Sequence, residues 1–442
     1  MKLFFVLIIF LTLNNCSFDN KTGIWKNENN NFKEDKKIFK DFKKITIFED
    51  SFNELISLDE KIKIKFSNPT NNLDWKDSLY NFNNNQKNFG YNDNNRLVLK
   101  SKKLTKHHIN KYILYNNNEV ILNDYKGNII IYSINEKKII NKFNFYKKKY
   151  KNLEKKINLI IEKNILYVSD NLGYLYAFNY MTSEVIWAKN YKVPFRSNLK
   201  IIDDKLIASN QNNNLYFFDK NNGEMIKFIP TEETIVKNQF VNNLSITDEK
   251  NLLFLNTYGS LYLVDTDTTK LIWFINLNQS TDINPSNLFV GQEVVNYGNK
   301  ILVSSNNRTL ILDKNSGSII KKFEFAALVR PIINRNYALF ISKNNLLICV
   351  DLNTNKILYS SSIDAQISNF LNIKKKESII KSFSLINDEI LIFLKNSYVL
   401  SFNNNGVIKS VRKLPSKLNS FPIFIDNSMY YLNNKKKLIV LN

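Results

Sequence analysis

One short pattern recurs eight times between residue 131 and the end of the chain. Each copy is a run of four mostly apolar residues closed by asparagine or aspartate, such as Leu-Tyr-Ala-Phe-Asn at 175–179. The closing residues are Asn135, Asn179, Asp219, Asp265, Asp313, Asp351, Asn403 and Asn442. A period of roughly 40–50 residues that contains several short strands is typical of a β-propeller. The repeat predicts an all-β, eight-bladed propeller with four-stranded antiparallel blades. The copies at Asn135 and Asn403 are weaker, which leaves seven blades as the alternative.

The residues that follow five of these copies repeat in the same register. A residue that permits a tight turn stands four positions after the closing residue. These turn residues are Ser183, Gly223, Thr269, Gly317 and Asn355. A further strand is predicted to start four positions later, at Trp187, Lys227, Trp273, Lys321 and Tyr359. Because Trp187 and Trp273 share one position of the repeat, we expect them to pack between blades.

The last blade needs a strand from elsewhere, because the sequence ends on a closing position. Within residues 61–67, positions 62–66 alternate strictly between apolar and lysine side chains, as a half-buried strand would. We therefore expect residues 61–67 to pair with 438–441 and to close the ring, which would also cover a sheet edge. Residues 72–90 are expected to cross into the first blade.

Charge and length place few limits on the function. The chain of 442 residues carries 62 Lys and Arg against 40 Asp and Glu, a net charge of +22. Such a charge fits binding to nucleic acid or to an anionic membrane surface. The lysines are instead spread through all the loops and form no stripe with aromatic residues, so we expect no nucleic-acid partner. Length alone suggests about three domains, but one propeller accounts for residues 61–442.

The N-terminal segment has the features of a targeting signal. Residues 3–13 are apolar apart from Thr12, a run too short to span a bilayer as a helix. The run ends at Leu13-Asn14-Asn15-Cys16, which resembles a bacterial lipoprotein signal with Cys16 as the lipid-attachment residue. We therefore predict a signal peptide at 1–15 and a polar tether at 16–60. An ordinary cleaved signal peptide is the alternative.

The sequence lacks the common catalytic and metal-binding motifs. No HExxH, GxSxG, CxxC or glycine-rich phosphate loop occurs. The only histidines, His107 and His108, are adjacent, and on a strand they would face opposite sides. Of the two cysteines, Cys349 lies within a repeat and is expected to be a packed strand residue. We predict no catalytic residue, no metal and no cofactor.

The segment Gly-Tyr-Leu-Tyr-Ala-Phe-Asn-Tyr-Met-Thr-Ser-Glu-Val-Ile-Trp at 173–187 resembles the repeat of the quinoprotein-type propellers. Within them it is most similar to the BamB family of outer-membrane assembly lipoproteins. That resemblance implies a non-enzymatic scaffold on the periplasmic face of the outer membrane. Such a scaffold docks on the periplasmic domains of the barrel subunit BamA and assists insertion of outer-membrane proteins, with unfolded clients as possible further partners.

The same resemblance indicates where a partner would bind. An arginine-bearing loop and an acidic loop of that family contact BamA, and their positions among the blades correspond to Arg196 and Asp282. A role for Arg196 in packing between blades is the alternative. An active quinoprotein dehydrogenase would need calcium ligands and a pair of adjacent cysteines, and this sequence has no such pair.

A second class of function is a propeller that binds a small ligand, such as a sugar or a peptide, in its central funnel. Convergent polar and aromatic groups in the funnel would favour this class. A funnel filled with ordinary side chains would favour the scaffold.

Overall fold

The computed structural model describes residues 52–146, 150–233, 239–277, 289–305, 307–374 and 376–442, with the backbone of two short strands before them. The chain forms two compact units, Met1–Asp50 and Ser51–Asn442. In the first unit, β1 (Cys16–Phe18) pairs antiparallel with β2 (Trp25–Asn27). The division of the chain at residues 15 and 60 stays a prediction.

The second unit is an eight-bladed β-propeller, as the repeat predicts. Two strands precede the first blade, β3 (Asn88–Phe89) and β4 (Leu97–Lys100). Blade 1 contains β5–β8, at Leu114–Asn116, Glu119–Asn123, Asn128–Ser133 and Lys138–Asn144. Blade 2 contains β9–β12, at Ile157–Glu162, Ile165–Asp170, Tyr174–Asn179 and Glu184–Asn190. Blade 3 contains β13–β16, at Lys200–Ile202, Lys205–Ser209, Leu215–Asp219 and Met225–Ile229. Blade 4 contains β17–β20, at Asn243–Ile246, Asn251–Leu255, Ser260–Asp265 and Leu271–Asn276.

The remaining blades follow the same order. Blade 5 contains β21–β24, at Val295–Tyr297, Lys300–Ser304, Thr309–Asp313 and Ile319–Phe323. Blade 6 contains β25–β28, at Ile332–Asn334, Tyr337–Ile341, Leu346–Asp351 and Lys356–Ser362. Blade 7 contains β29–β32, at Ile380–Ile386, Glu389–Leu394, Tyr398–Phe402 and Ile408–Lys413. Blade 8 contains β33–β35, at Ile423–Ile425, Ser428–Leu432 and Leu438–Leu441.

Every predicted pentad lies on the third strand of a blade. These strands are buried because they are covered by the sheets on both sides, and Cys349 in β27 is buried as predicted. First strands of neighbouring blades contact one another from blade 1 to blade 6, which makes them the innermost strands. Fourth strands lie outermost and are half exposed, as in Glu184–Asn190.

The predicted turns are confirmed in all five copies. The turn residues adopt φ values of 67° at Ser183, 74° at Gly223, 54° at Thr269, 70° at Gly317 and 55° at Asn355. The fourth strand begins two or three residues earlier than predicted, for example at Glu184 rather than Trp187. The left-handed residue ends the turn, so the fourth strand begins one or two residues after it.

Trp187 and Trp273 pack between blades, as predicted. The ring of Trp187, in blade 2, lies over Gly223 in the turn of blade 3, and its Nε1 donates to the Lys220 carbonyl at 3.0 Å. Trp273, in blade 4, repeats this arrangement two blades further on, over Gly317 of blade 5, and donates to the Lys314 carbonyl at 2.9 Å. Glycine is needed beneath each ring because a Cβ would come within 2.6 Å of it.

Replacing Gly223 by alanine is expected to lower the free energy of unfolding by about 2–4 kcal/mol, since a left-handed conformation and an overpacked ring contact both oppose the methyl group. The matched control is Gly298→Ala. Gly298 also has positive φ (54°), but no atom lies within 4 Å of its added Cβ. We expect the control to lose only about 1 kcal/mol, the conformational part. If urea unfolding showed the same decrease in the free energy of unfolding for both variants, the packing role of Trp187 would be contradicted.

The ring is closed by an N-terminal strand, but residues 61–67 do not supply it. Strand β4 pairs antiparallel with β35, with Val440 opposite Leu99. No strand is assigned to residues 61–67. Their alternation is real, because Ile64 and Phe66 are buried against the core of blades 6 and 7. The segment is therefore half-buried by side-chain packing and not by ladder pairing.

A helix, α1 (Ile363–Leu371), lies between blades 6 and 7. Ser362 caps it, with its hydroxyl accepting from the Ala365 N–H at 3.3 Å. This insertion explains why the spacing between Asp351 and Asn403 is the largest of the repeat. In the described part of the chain, no helix has both the length and the apolar character needed to cross a membrane.

Candidate binding cavity on the propeller axis

Residues 70–92, here called the belt, run around the inside of the ring. The belt pairs with the innermost strand of every blade, through hydrogen bonds of backbone or side-chain atoms. From blade 1 to blade 8 the pairs are Trp75–Tyr115, Lys76–Ile161, Asp77–Lys200, Phe82–Ile246, Asn83–Asn296, Asn85–Ile333, Asn88–Leu385 and Asn72–Phe424. Three aromatic rings, of Trp75, Tyr80 and Phe89, pack together inside it with centroids 4.7–5.5 Å apart.

The prediction that residues 72–90 simply cross into the first blade was incomplete. The segment makes a full circuit before the chain enters β4. Asparagine makes this possible, because its amide can both donate to and accept from an inner strand. Asn85 does so with Ile333, and Asn84 donates to the carbonyls of Leu244 and Val294 at 3.0 and 2.9 Å. The only signal in the sequence was the run of amides at 83–85.

A cavity of about 340 Å³ lies on the axis beside the belt. Its walls come from the belt and from the inner strands, or the residues just before them, of blades 1, 5, 6, 7 and 8. The aromatic part of the wall consists of Trp75, Tyr112, Phe383 and Phe421. The funnel is thus filled by the belt in one part and lined by aromatic and polar groups in another.

Charged groups from four blades converge on this cavity. Lys111, Arg330 and Lys381 are cationic, and Glu293 is the only acidic residue of the wall. Arg330 donates from Nη1 to the Leu79 carbonyl at 2.9 Å, which ties it to the belt. With three cations and one carboxylate, the cavity favours a negatively charged occupant.

Burial perturbs two of the groups in the wall. The pKa of Lys381 is lowered to about 8, mainly by burial. The positive charges of the neighbouring Lys111 and Lys395 lower it further. The hydroxyl of Tyr112 donates to Glu293 Oε1 at 3.1 Å. Burial is the main reason why the pKa of Tyr112 lies well above its usual value, and the negative charge of Glu293 raises it further. Perturbed groups of this kind in a concave site mark candidate functional residues.

Two residues of the wall each carry a buried polar atom without a hydrogen-bond partner, Gln86 Oε1 and Ser382 Oγ. Buried polar atoms in folded proteins are nearly always paired, so each exception asks for an explanation. An occupant with hydrogen-bonding groups would provide one if these side chains turned toward it. Lys111 adds a cation above two rings, since its Nζ lies 5.1 Å from the ring centres of Tyr112 and Phe421.

Arg196, the one predicted site residue whose side chain the structure describes, does not line the cavity. Arg196 follows blade 2 and is half buried, and its Nη2 donates to the Phe240 carbonyl of the segment before blade 4 at 3.0 Å. Burial lowers the pKa of Arg196. Asp282 lies outside the described residues, and of Cys16 only the backbone is described, in β1.

His107 and His108 lie in an irregular segment before blade 1, not on a strand, and both are exposed. Among the residues that the structure describes, no group of three or more His, Cys, Asp or Glu side chains is placed to hold a metal ion.

Comparison with known proteins agrees with this architecture. Residues 148–361 match the family model described as "Outer membrane protein assembly factor BamB". The chain carries PQQ-like propeller repeats. BamB from Moraxella catarrhalis is 13% identical with a TM-score of 0.61, over 78% of this chain and 100% of that one. The computationally designed Ika8 protein is 10% identical with a TM-score of 0.58, over 78% and 99% of the two chains.

An enzyme also shares the fold. Quinohemoprotein alcohol dehydrogenase from Comamonas testosteroni is 8% identical with a TM-score of 0.59, over 83% of this chain and 80% of that one. No curated protein matches the sequence. The BamB-family match spans blades 2 to 6 of the PQQ-like propeller, so Lys111, Tyr112, Lys381 and Phe421 of the cavity lie outside it.

Proposed function

We propose that this protein is a non-enzymatic scaffold lipoprotein of the outer-membrane β-barrel assembly machinery. The observation that carries the proposal is the match of residues 148–361 to the BamB family model. In this proposal Cys16 is lipidated and anchors the propeller on the periplasmic face of the outer membrane. The propeller docks on a BamA-like subunit and assists insertion of outer-membrane proteins.

The segment 191–197, between blades 2 and 3, is the proposed docking site for the BamA-like subunit, with Arg196 as its cation and Asp282 as a second contact. A few anchor residues usually supply most of the affinity of such an interface, and arginine is frequent among them. Arg196 is held in place by its hydrogen bond to the Phe240 carbonyl, so its position is fixed before binding. A fixed side chain loses less conformational entropy when a partner binds.

Outer strands of the blades are the proposed contact for unfolded outer-membrane proteins. The chain itself shows this mode, because Ile56 pairs with Ser360 at the outer strand of blade 6 through two backbone hydrogen bonds of 3.0 and 2.9 Å. Exposed apolar side chains, such as Ile186 on β12 and Phe274 on β20, flank other outer edges. Extended segments bind sheet edges by this kind of strand addition.

The dehydrogenase alternative has less support. The likeness to the Comamonas enzyme is one of fold alone. The chain has only two cysteines, Cys16 and Cys349, which cannot form the adjacent pair expected of that class. Purification of the lipoprotein from native membranes, with identification of its partners, tests the scaffold. Recovery without any BamA-like protein would count against it.

Replacing Arg196 by glutamate is expected to weaken binding to the BamA-like subunit about tenfold or more, because an interface cation is reversed. Arg335→Glu is the matched control, since Arg335 is an exposed arginine in a turn of blade 6. Affinity is measured by titration of the purified subunit, and the melting temperature shows whether each variant is folded. Unchanged affinity of a folded Arg196→Glu variant would make this assignment wrong.

A further inference from the structure

We propose that the axial cavity binds an organic carboxylate with an aromatic body, as a free acid or as the C-terminal residue of a peptide. The proposal concerns the cavity itself and does not depend on docking to a BamA-like subunit. It is carried by the convergence of three cations and four aromatic side chains on one concave site.

The volume and the aromatic lining of the cavity indicate that the ligand carries one aromatic group. Ligand sites commonly measure roughly 300–1,000 Å³ and are mostly apolar with a few polar groups. At about 340 Å³, this cavity has room for one aromatic residue and little more. Trp75, Phe383 and Phe421 provide rings against which a flat group packs.

The charged residues of the cavity wall indicate that the ligand carries a single carboxylate. Arg330 presents a planar fork of donors, which suits a carboxylate in a two-point contact. Its hydrogen bond to the Leu79 carbonyl holds the side chain at the wall without a carboxylate partner in the cavity. Lys381 donates to the Leu418 carbonyl at 3.0 Å and is half buried. Glu293 would repel a dianion, so a single carboxylate fits better than a phosphate monoester.

The two unpaired polar atoms indicate which chemical group joins the carboxylate of the ligand to its aromatic ring. Gln86 Oε1 accepts hydrogen bonds, and the Ser382 hydroxyl both donates and accepts. Once these two buried side chains rotate toward the cavity, an amide next to the carboxylate, as in an acylated amino acid or a peptide terminus, offers them an N–H and a carbonyl. The cavity opens beside the exposed Lys111, which leaves a path for the rest of a peptide.

The test is calorimetric titration of the purified full-length chain with N-acetylphenylalanine and with its C-terminal amide. We expect the free acid to bind in the high-micromolar to millimolar range, as ligands of this size usually do. The amide should bind at least about tenfold more weakly, because it lacks the charge. No binding of the acid up to about 10 mM, or equal binding of acid and amide, would overturn the proposal.

Variants locate the binding site. Lys381→Met should weaken binding of the acid about tenfold or more, whereas Lys103→Met, which removes an exposed lysine outside the cavity wall, should leave it unchanged. If Lys381→Met is unfolded, quenching of Trp75 fluorescence in the parent chain, compared with a Trp75→Phe variant, gives the same information. Unchanged affinity of folded Lys381→Met, or a quench that survives Trp75→Phe, would place the ligand elsewhere.

A tetrapeptide that ends in phenylalanine separates the two sources of the carboxylate. Tighter binding of the peptide than of N-acetylphenylalanine would indicate a protein or peptide terminus as the ligand. Equal or weaker binding would indicate a free aromatic acid. Either order supports a carboxylate site, provided that amidation of the peptide removes its binding.

Discussion

Replacing Lys200 by methionine is expected to lower the free energy of unfolding by about 3–5 kcal/mol. Lys200 lies on the innermost strand of blade 3 and is 1% exposed. Its Nζ donates to Asp77 Oδ2 of the belt at 2.6 Å and to the Asn81 carbonyl at 2.7 Å. Methionine would fill the space of the alkyl chain but would leave the Asp77 carboxylate buried without its cation.

The size of this effect comes from desolvation. Burial lowers the pKa of Lys200, while the adjacent Asp77 opposes that shift. An uncompensated buried charge costs several kcal/mol, whereas a buried pair replaced as a whole by apolar groups is often nearly neutral. The double variant Asp77→Leu, Lys200→Met is therefore expected to be more stable than Lys200→Met alone. The single variant Asp77→Leu completes a double-mutant cycle, which isolates the interaction between the two residues.

An exposed ion pair provides the control for Lys200→Met. Lys138 and Glu136 lie 2.8 Å apart on the surface of blade 1, with 65% and 54% of their side chains exposed. Exposed pairs contribute little because water and salt screen them, so Lys138→Met should leave the urea midpoint unchanged. A loss at Lys200 no larger than at Lys138 would mean that the pair does not hold the belt to blade 3.

The blades could be predicted because their information is local and repeated. Each copy of the repeat places an apolar third strand, a turn residue with positive φ and an outer strand within about 20 residues. Gly223 and Trp187 are one example, and the same pair of roles recurs at Gly317 and Trp273. Errors in one copy are corrected by the others, which is how the weak copy at Asn403 was still placed correctly.

The closing strand could not be chosen from the sequence, because its partner lies about 340 residues away. Alternation at 61–67 indicates only that one side of the segment is buried. Residues 97–100 show no clear alternation, since Leu97 and Val98 are both largely exposed and Leu99 alone is buried. Which segment reaches β35 depends on the path of the belt, and no local pattern encodes that path.

The cavity could not be predicted from the sequence either, because the residues that form it are far apart in the chain. Lys111, Arg330 and Lys381 belong to blades 1, 6 and 7, and they converge only because the ring brings those blades to one axis. In a chain with 62 lysines and arginines, no single one of them stands out. The residue that the family resemblance implies, Arg196, does not line the cavity, and its role as a docking residue stays a prediction.

Removal of residues 438–442 is expected to prevent formation of the native ring. Leu438, Ile439, Val440 and Leu441 are each at most 3% exposed, and together they pair with β34 on one side and β4 on the other. Loss of a single buried aliphatic side chain costs about 2–5 kcal/mol. Loss of four is comparable to or larger than the roughly 5–15 kcal/mol by which folded domains are stable. The truncated chain should lack the near-ultraviolet circular dichroism of packed aromatic residues and a cooperative urea transition.

A matched pair in β4 shows whether residues 97–100 are the strand that closes the ring. Leu99, 7% exposed, faces the blade, whereas Leu97 is 45% exposed. Leu99→Asp would bury an unpaired carboxylate and is expected to lower the urea midpoint strongly, while Leu97→Asp should have little effect. If both variants unfold like the parent chain, β4 does not seal the propeller.

A truncated chain that keeps the parent's cooperative transition would show that the other blades hold the ring without β35.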